Sequence, residues 1–182
     1  NPMTSSNTLP IAVAGATGRM GNMLIEAILA TDDCRLSGAL DIPASPALGQ
    51  DAAAFLGKVS GVLVASDLGA GLQDSGFLID FTRPEGTLQH LKVCRELGVN
   101  LVIGTTGHSD AERAAIYDAA KTIPIVYAPN FSIGVNTLFW LTRHAARILG
   151  NDHFDIEVTE MHHRHKIDAP SGTARRLLEI LN

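Results

Sequence analysis

Short apolar runs recur along the first two thirds of the chain, at Ile11–Ala14, Leu36–Leu40, Val62–Ala65, Phe77–Asp80, Leu101–Gly104 and Ile125–Ala128. Most are continuously apolar rather than alternating. That pattern predicts strands buried on both faces of a parallel sheet. Stretches of helical length lie between most of them. Met20–Ala30 places Met20, Met23, Leu24, Ala27 and Ile28 at helical spacing. Glu85–Leu97 follows Thr82-Arg83-Pro84-Glu85, which reads as a capping box with proline in the first turn. Ala111–Lys121 follows a second such box, Ser109-Asp110-Ala111-Glu112. Strands alternating with helices predict an α/β fold, a doubly wound parallel sheet.

After about residue 130 the pattern changes. Ile133–Leu149 reads as one long helix, with Val135, Leu138, Phe139, Thr142 and Ala146 near one face. Phe154–Met161 then alternates apolar and acidic positions, which predicts a strand with one wet face. A differently built second domain is expected to begin here. The final residues, Glu179–Asn182, lie about ten residues into a further apparent helix. A domain seldom stops there, so the chain reads as a piece of a longer protein.

Candidate chemistry begins at the end of the first strand. Gly15-Ala16-Thr17-Gly18-Arg19-Met20-Gly21 follows it directly and opens the first helix. Glycines in that setting allow a tight turn and close approach to a pyrophosphate, and the helix N-terminus presents free N–H groups to it. The spacing is G-x-x-G-x-x-G, with Thr17 where the commoner fingerprint has glycine. Asp41 ends the second strand, 20 residues after Gly21. An acid there accepts hydrogen bonds from ribose hydroxyls and repels a 2′-phosphate, which favours NADH with NADPH tolerated. Ile42 and Pro43 offer such a phosphate no cation, although Arg19 is within the loop. The alternative is a glycine turn made only for packing.

Composition narrows the classes. The 182 residues are 46% apolar and 18% charged, which excludes a disordered chain and a coiled coil. A net charge of -5 argues against general nucleic-acid binding. No apolar run approaches a membrane span. Residues 1–8 lack the basic and apolar parts of an export signal, and Asn1-Pro2 ahead of Met3 reads as an artificial leader. Cys34 and Cys94 sit in apolar segments and read as free thiols. The expectation is a soluble, cytoplasmic protein.

The densest polar segment is Glu160-Met161-His162-His163-Arg164-His165-Lys166-Ile167-Asp168-Ala169-Pro170-Ser171-Gly172-Thr173. Crowded cations lower histidine pKa values and keep a proton ready to leave. Ser171-Gly172-Thr173 precedes a helix whose first N–H groups would hold a carboxylate. The sum is an anion pocket of dicarboxylate size with an acid inside it. A solvated basic turn, a metal site using His162 and His165, and a nucleic-acid contact are blander or less fitting readings. Tyr117 and Lys121 match the Tyr-x-x-x-Lys pair of short-chain dehydrogenases. However, Tyr117 comes only 96 residues after Gly21, and an ordinary i, i+4 surface pair explains it.

Together these residues resemble the dihydrodipicolinate reductase family of bacterial lysine biosynthesis. The resemblance rests on residues 15–21, Ile79-Asp80-Phe81-Thr82-Arg83-Pro84-Glu85, Gly104-Thr105-Thr106-Gly107, Ala128-Pro129-Asn130-Phe131-Ser132 and the 160–173 segment. It implies a Rossmann-type domain at 9–130, then the N-terminal part of a substrate-binding and tetramerisation domain at 131–182. It implies that Gly15, Ala16, Thr17, Gly18, Arg19 and Met20 wrap the cofactor pyrophosphate and that Asp41 holds the ribose. Gly104, Thr105 and Thr106 would meet the nicotinamide side, and Ala128, Pro129, Asn130 and Phe131 would complete that wall and part of the hinge. His162 would be the catalytic acid/base and Lys166 the proton donor, with His163, Gly172 and Thr173 on the substrate carboxylates.

The implied reaction is hydride transfer from NADH or NADPH to a cyclic unsaturated imine dicarboxylate, formed by loss of water from 4-hydroxy-tetrahydrodipicolinate, by a homotetramer of longer chains. Two features depart from the family. Ile42 stands where members often carry a basic residue, and the chain is shorter. Two other readings stand beside this one: an extended short-chain dehydrogenase using Tyr117 and Lys121, and a non-catalytic nucleotide sensor.

Overall fold

The computed structural model describes residues 8–150, 154–164 and 169–182. Their contacts divide the chain into two units, one ending at Tyr127 and one beginning at Ala128.

The first unit is a six-stranded, all-parallel sheet. Its strands are β1 (Leu9–Ala14), β2 (Cys34–Leu40), β3 (Val64–Ala65), β4 (Phe77–Asp80), β5 (Asn100–Ile103) and β6 (Ile125–Tyr127), in the order β3-β2-β1-β4-β5-β6. The helices are α1 (Arg19–Leu29), α2 (Leu68–Leu72), α3 (Pro84–Leu97) and α4 (Asp110–Ala119). The strand direction of growth reverses between β1 and β4. In such sheets ligands bind beyond the carboxyl ends of the strands at that point.

Side chains alternate across the pleat, so the two faces have separate cores. Ala12 and Ala14 of β1 join Leu78, Leu91, Cys94, Leu101, Ile103 and Ile116 on the side of α2, α3 and α4. Val13 joins Ile25 and Ile28 of α1, with Leu36, Ala39 and Val64, on the other. The continuous apolar runs suggested burial on both faces throughout. Instead, Ile79 and Val102 are only half-buried and Val126 is exposed. On that side α1 packs on β1 and β2, with Leu48, Ala52 and Val62 of the segment between β2 and β3 beside it.

Local chemistry sets the helix ends. Ser109 and Glu112 form a true capping box, with Ser109 N–H donating to Glu112 at 2.6 Å and Glu112 N–H to Ser109 Oγ at 3.3 Å. The box expected at Thr82 is absent. Arg83 is the N-cap of α3 and makes no side-chain cap bond, while Pro84 occupies the first turn as expected. The helix begins one residue later than the box requires, and the Thr82 hydroxyl, which lies before the N-cap, donates to Asp80 Oδ1 at 2.6 Å.

The second unit contains α5 (Ile133–Leu149) and α6 (Gly172–Leu181), packed on each other. Ser132 and Ser171 N-cap them, accepting from Val135 and Ala174 N–H. The strand expected at Phe154–Met161 does not form: residues 154–163 have no regular structure. Alternation supplies an amphipathic edge, but a strand exists only when a neighbour accepts its ladder bonds. Among the described residues no helix is long and apolar enough to cross a membrane.

Candidate functional site

The loops leaving β1, β2, β4 and β5 gather at the carboxyl edge of the sheet. Gly15, at φ +65°, turns the chain sharply out of β1. Gly18 is the N-cap of α1, Arg19 and Met20 form its first turn, and Ala16 is buried beneath. A Cβ on Gly21 would lie 2.1 Å from the Gly15 carbonyl oxygen, so only glycine lets the helix start this close to the loop. No side chain caps α1 and no acid lies in its first turn. A helix start with free N–H groups and no competing carboxylate fits a pyrophosphate.

Asp41 follows β2 and closes on the same loop. Its Oδ2 accepts the Thr17 hydroxyl and the Thr17 N–H, the latter at 3.2 Å, and its Oδ1 accepts Ile42 N–H at 2.8 Å. Thr17 is therefore no passive replacement for glycine. It fastens the candidate ribose acid to the glycine loop.

Sequence reasoning missed the next group. Asp80 ends β4 fully buried, and its Oδ2 lies 2.8 Å from His90 Nδ1 of α3. Its Oδ1 accepts Thr82 N–H at 3.0 Å, the Thr82 hydroxyl at 2.6 Å and the Thr105 hydroxyl at 3.2 Å. Thr82 N–H also reaches Thr105 Oγ1 at 2.9 Å. Burial pushes the Asp80 carboxyl up, but the hydrogen bond and charge of His90 and the Thr82 hydroxyl more than reverse this, and the carboxyl ends below the usual range. One carboxylate thus holds the loop after β4 against the loop after β5. The Thr82 methyl reaches the first loop as well, 3.1 Å from where a Gly15 Cβ would stand.

A Cβ on Gly104 would meet the Phe81 ring at 2.0 Å, so glycine lets that ring approach the β5 loop closely. Thr105 is buried, and Thr106 follows it exposed. Beyond them His108 is 4% exposed, its Nδ1 3.1 Å from the Tyr127 hydroxyl. Burial drives its pKa down.

In the second unit, Ala128, Pro129, Asn130 and Phe131 lead into α5. Asn130 Oδ1 accepts Ser132 N–H at 2.8 Å, and its carbonyl accepts Asn136 Nδ2 at 3.1 Å. The unit also carries His162, with Nε2 2.8 Å from Glu160 Oε2. Glu160 in turn accepts Ser171 N–H at 2.8 Å and the Ser171 hydroxyl at 2.5 Å. Gly172 and Thr173 open α6 immediately after, with no acid in its first turn. His162 is thereby brought to the helix start bearing the candidate carboxylate ligands. His163 is exposed. Lys166, the expected proton donor, lies outside the described residues, as does His165.

The short-chain dehydrogenase pair does not assemble. Tyr117 projects from α4 62% exposed, while Lys121 lies past the end of that helix, its Nζ 3.2 Å from Asp118. Cys94 is buried near Asp80, and burial followed by that negative charge pushes its thiol up to about 12, an inert state. Cys34 is also a free thiol.

A doubly wound parallel sheet with a glycine loop at its switch point and an acid after the second strand defines a Rossmann-type nucleotide-binding fold. The family profile described as dihydrodipicolinate reductase, N-terminus, matches residues 9–131, and the one described as its C-terminus matches 134–182. The chain belongs to the dihydrodipicolinate reductase family. It is 58% identical over 171 residues to the 4-hydroxy-tetrahydrodipicolinate reductase of Cupriavidus taiwanensis, covering 94% of this chain and 64% of that one. It is 58% identical over 175 residues to the enzyme of the same name from Janthinobacterium sp. (strain Marseille), covering 96% and 65%. Among solved structures it is similar to a dipicolinate-bound dihydrodipicolinate reductase from Paenisporosarcina sp. TG-14, with a TM-score of 0.74 at 27% identity, covering 96% of this chain and 65% of that one. The chain thus spans 64–65% of the length of these relatives.

Proposed function

We propose that this chain carries the cofactor site and the proton-handling residues of a 4-hydroxy-tetrahydrodipicolinate reductase. The reaction is NAD(P)H-dependent reduction of dihydrodipicolinate, formed by water loss from the hydroxylated precursor, to tetrahydrodipicolinate on the route to diaminopimelate and lysine. The observation that carries the reading is the corner at Glu160, His162 and Ser171. It sets an imidazole beside a helix start suited to carboxylates. The dipicolinate in the related Paenisporosarcina structure supports a ring dicarboxylate as the ligand class.

The bound nicotinamide supplies hydride. Gly15, Ala16, Thr17, Gly18, Arg19 and Met20 would hold the cofactor's pyrophosphate, Asp41 its adenosine ribose, and Gly104, Thr105 and Thr106 its nicotinamide side; Ala128, Pro129, Asn130 and Phe131 are assigned to the same cofactor. Asp41 beside Ile42 favours NADH over NADPH. In the second unit Gly172 N–H, Thr173 and His163 hold the substrate carboxylates. Hydride arrival leaves negative charge on the substrate, which the cation cluster stabilises. His162 and Lys166 then deliver a proton to the neighbouring carbon. The working form is a cytoplasmic homotetramer of full-length chains.

The test is oxidation of NADH, and in parallel NADPH, by the full-length protein with substrate freshly made from pyruvate and aspartate semialdehyde. His162→Gln is expected to lower kcat about a hundredfold or more while KM changes little, the signature of general acid–base loss. No substrate-dependent oxidation, or an effect of His162→Gln confined to KM, would overturn the assignment.

A further inference from the structure

Glu160 joins two parts of the second unit that the proposed reaction needs together. An exposed carboxylate–histidine pair carries little by itself, because water competes for both groups. This pair differs in what holds the carboxylate. Ser171 is only 4% exposed and donates both its backbone N–H, at 2.8 Å, and its hydroxyl, at 2.5 Å, to the two Glu160 oxygens. The same hydroxyl accepts Ala174 N–H at 3.1 Å and so caps α6. The carboxylate is locked to the helix start before it meets His162 Nε2 at 2.8 Å.

We propose that Glu160 is a positioning residue for His162: it accepts Nε2–H, leaves Nδ1 as the nitrogen that holds and releases the proton, and ties the imidazole to the first turn of α6. The inference rests on His162 being the acid/base assigned above. The Ser171 hydroxyl, then His162, then the Ser171 N–H hold the Glu160 carboxyl down at about 2. An ionised carboxylate only accepts, so the ring nitrogen facing it carries the hydrogen. Glu160 thereby links the imidazole to the helix start that carries the Gly172 and Thr173 N–H groups.

Histidine-selective 15N NMR on the full-length protein, with the His162 signals assigned by their loss in His162→Gln, tests this without any catalytic readout. In the parent the neutral ring is expected as a single Nε2–H tautomer, and Glu160→Gln is expected to give a mixture. In turnover assays Glu160→Gln is expected to lower kcat about ten- to a hundredfold while leaving KM for NADH within about twofold. A parent His162 that is Nδ1–H or mixed overturns the proposal with no variant needed. So does a Glu160→Gln protein with parental kcat and tautomer. If His162→Gln is inactive while Glu160→Gln is normal, this inference alone fails. If His162→Gln retains full turnover, the acid/base assignment fails and this inference falls with it.

Discussion

Asp80→Asn is the substitution from which the carboxyl-edge architecture predicts most. The side chain is wholly buried and its two oxygens serve four donor groups: His90, the Thr82 N–H, the Thr82 hydroxyl and the Thr105 hydroxyl. Asparagine keeps the volume and one acceptor oxygen. It puts an NH2 where the other oxygen met His90 Nδ1, and it removes the charge that the network surrounds. Breaking a buried pair from one side costs about 3–5 kcal/mol. Because Oδ1 survives as an acceptor, the low end, about 3 kcal/mol, is expected. Against a typical total of roughly 5–15 kcal/mol this is a large fraction.

Urea unfolding reads it directly. With m of roughly 1–3 kcal/mol/M, the midpoint should fall by about 1–3 M at unchanged slope. Asp118→Asn is the control. Asp118 also pairs with two cations, Arg95 and Lys121, but it is exposed, and its midpoint should not move. The gap between parent and Asp80→Asn should depend on pH in one direction only. The folded carboxyl titrates below its ordinary 3.8. Its contribution is therefore complete above that value and is lost as the pH falls through the lower folded one. NADH affinity should fall together with stability, because Thr82 and Thr105 border the candidate cofactor site. A midpoint within about 0.3 M of the parent, with parental NADH binding, would refute the view of Asp80 as the hub of that edge.

Two further substitutions probe neighbouring groups. Asp41→Ala should raise the NADPH-to-NADH affinity ratio about five- to tenfold by removing one repulsive charge, and Thr17→Val should move it the same way by less, since it frees Asp41 to swing aside; equilibrium titration of both cofactors checks this, and an unchanged ratio in both variants would remove Asp41 and Thr17 from cofactor choice. Burial, against the opposing pull of the Glu112 and Asp80 carboxylates, holds His108 below its ordinary 6.5. The unfolded chain therefore takes up that proton first as the pH drops, and stability declines from about 6.5 downward. His108→Phe should flatten the stability profile between pH 5 and 6.5, and an undiminished slope in chemical denaturation would show that another group titrates there.

The fold was readable where apolar pattern and topology agree. Six apolar runs, most of them separated by helical stretches, marked the six strands, and the glycine loop and Asp41 reached the switch point because chain order alone puts them there. The shortest α-helix gave no period to read: α2 has five residues, two of them glycine. Phe154–Met161 shows the reverse failure, since it has a strand's period but no ladder partner among the described residues. Asp80 was overlooked for a different reason. The Thr-x-x-Glu pattern at 82–85 resembles a local cap, but α3 takes Arg83 as its N-cap and the Thr82 hydroxyl bonds Asp80, two residues upstream.

A usable signal for that buried network was nonetheless present in the helix. Thr87, His90, Leu91 and Cys94 recur at helical spacing on the one buried face of α3. Leu91 and Cys94 identify that face as the one turned to the sheet, and polar groups on such a face require partners there. The strand that α3 follows ends in an acid, and a parallel crossover brings a helix back along the sheet beside that strand's end. Asp80 and His90 could have been paired on that argument. The same accounting does not reach Glu160 and Ser171, which are 11 residues apart in irregular chain with no period to fix their faces. Their contact follows from the serine's need, as N-cap of α6, for an acceptor for its hydroxyl hydrogen, and Glu160 satisfies that need while holding His162.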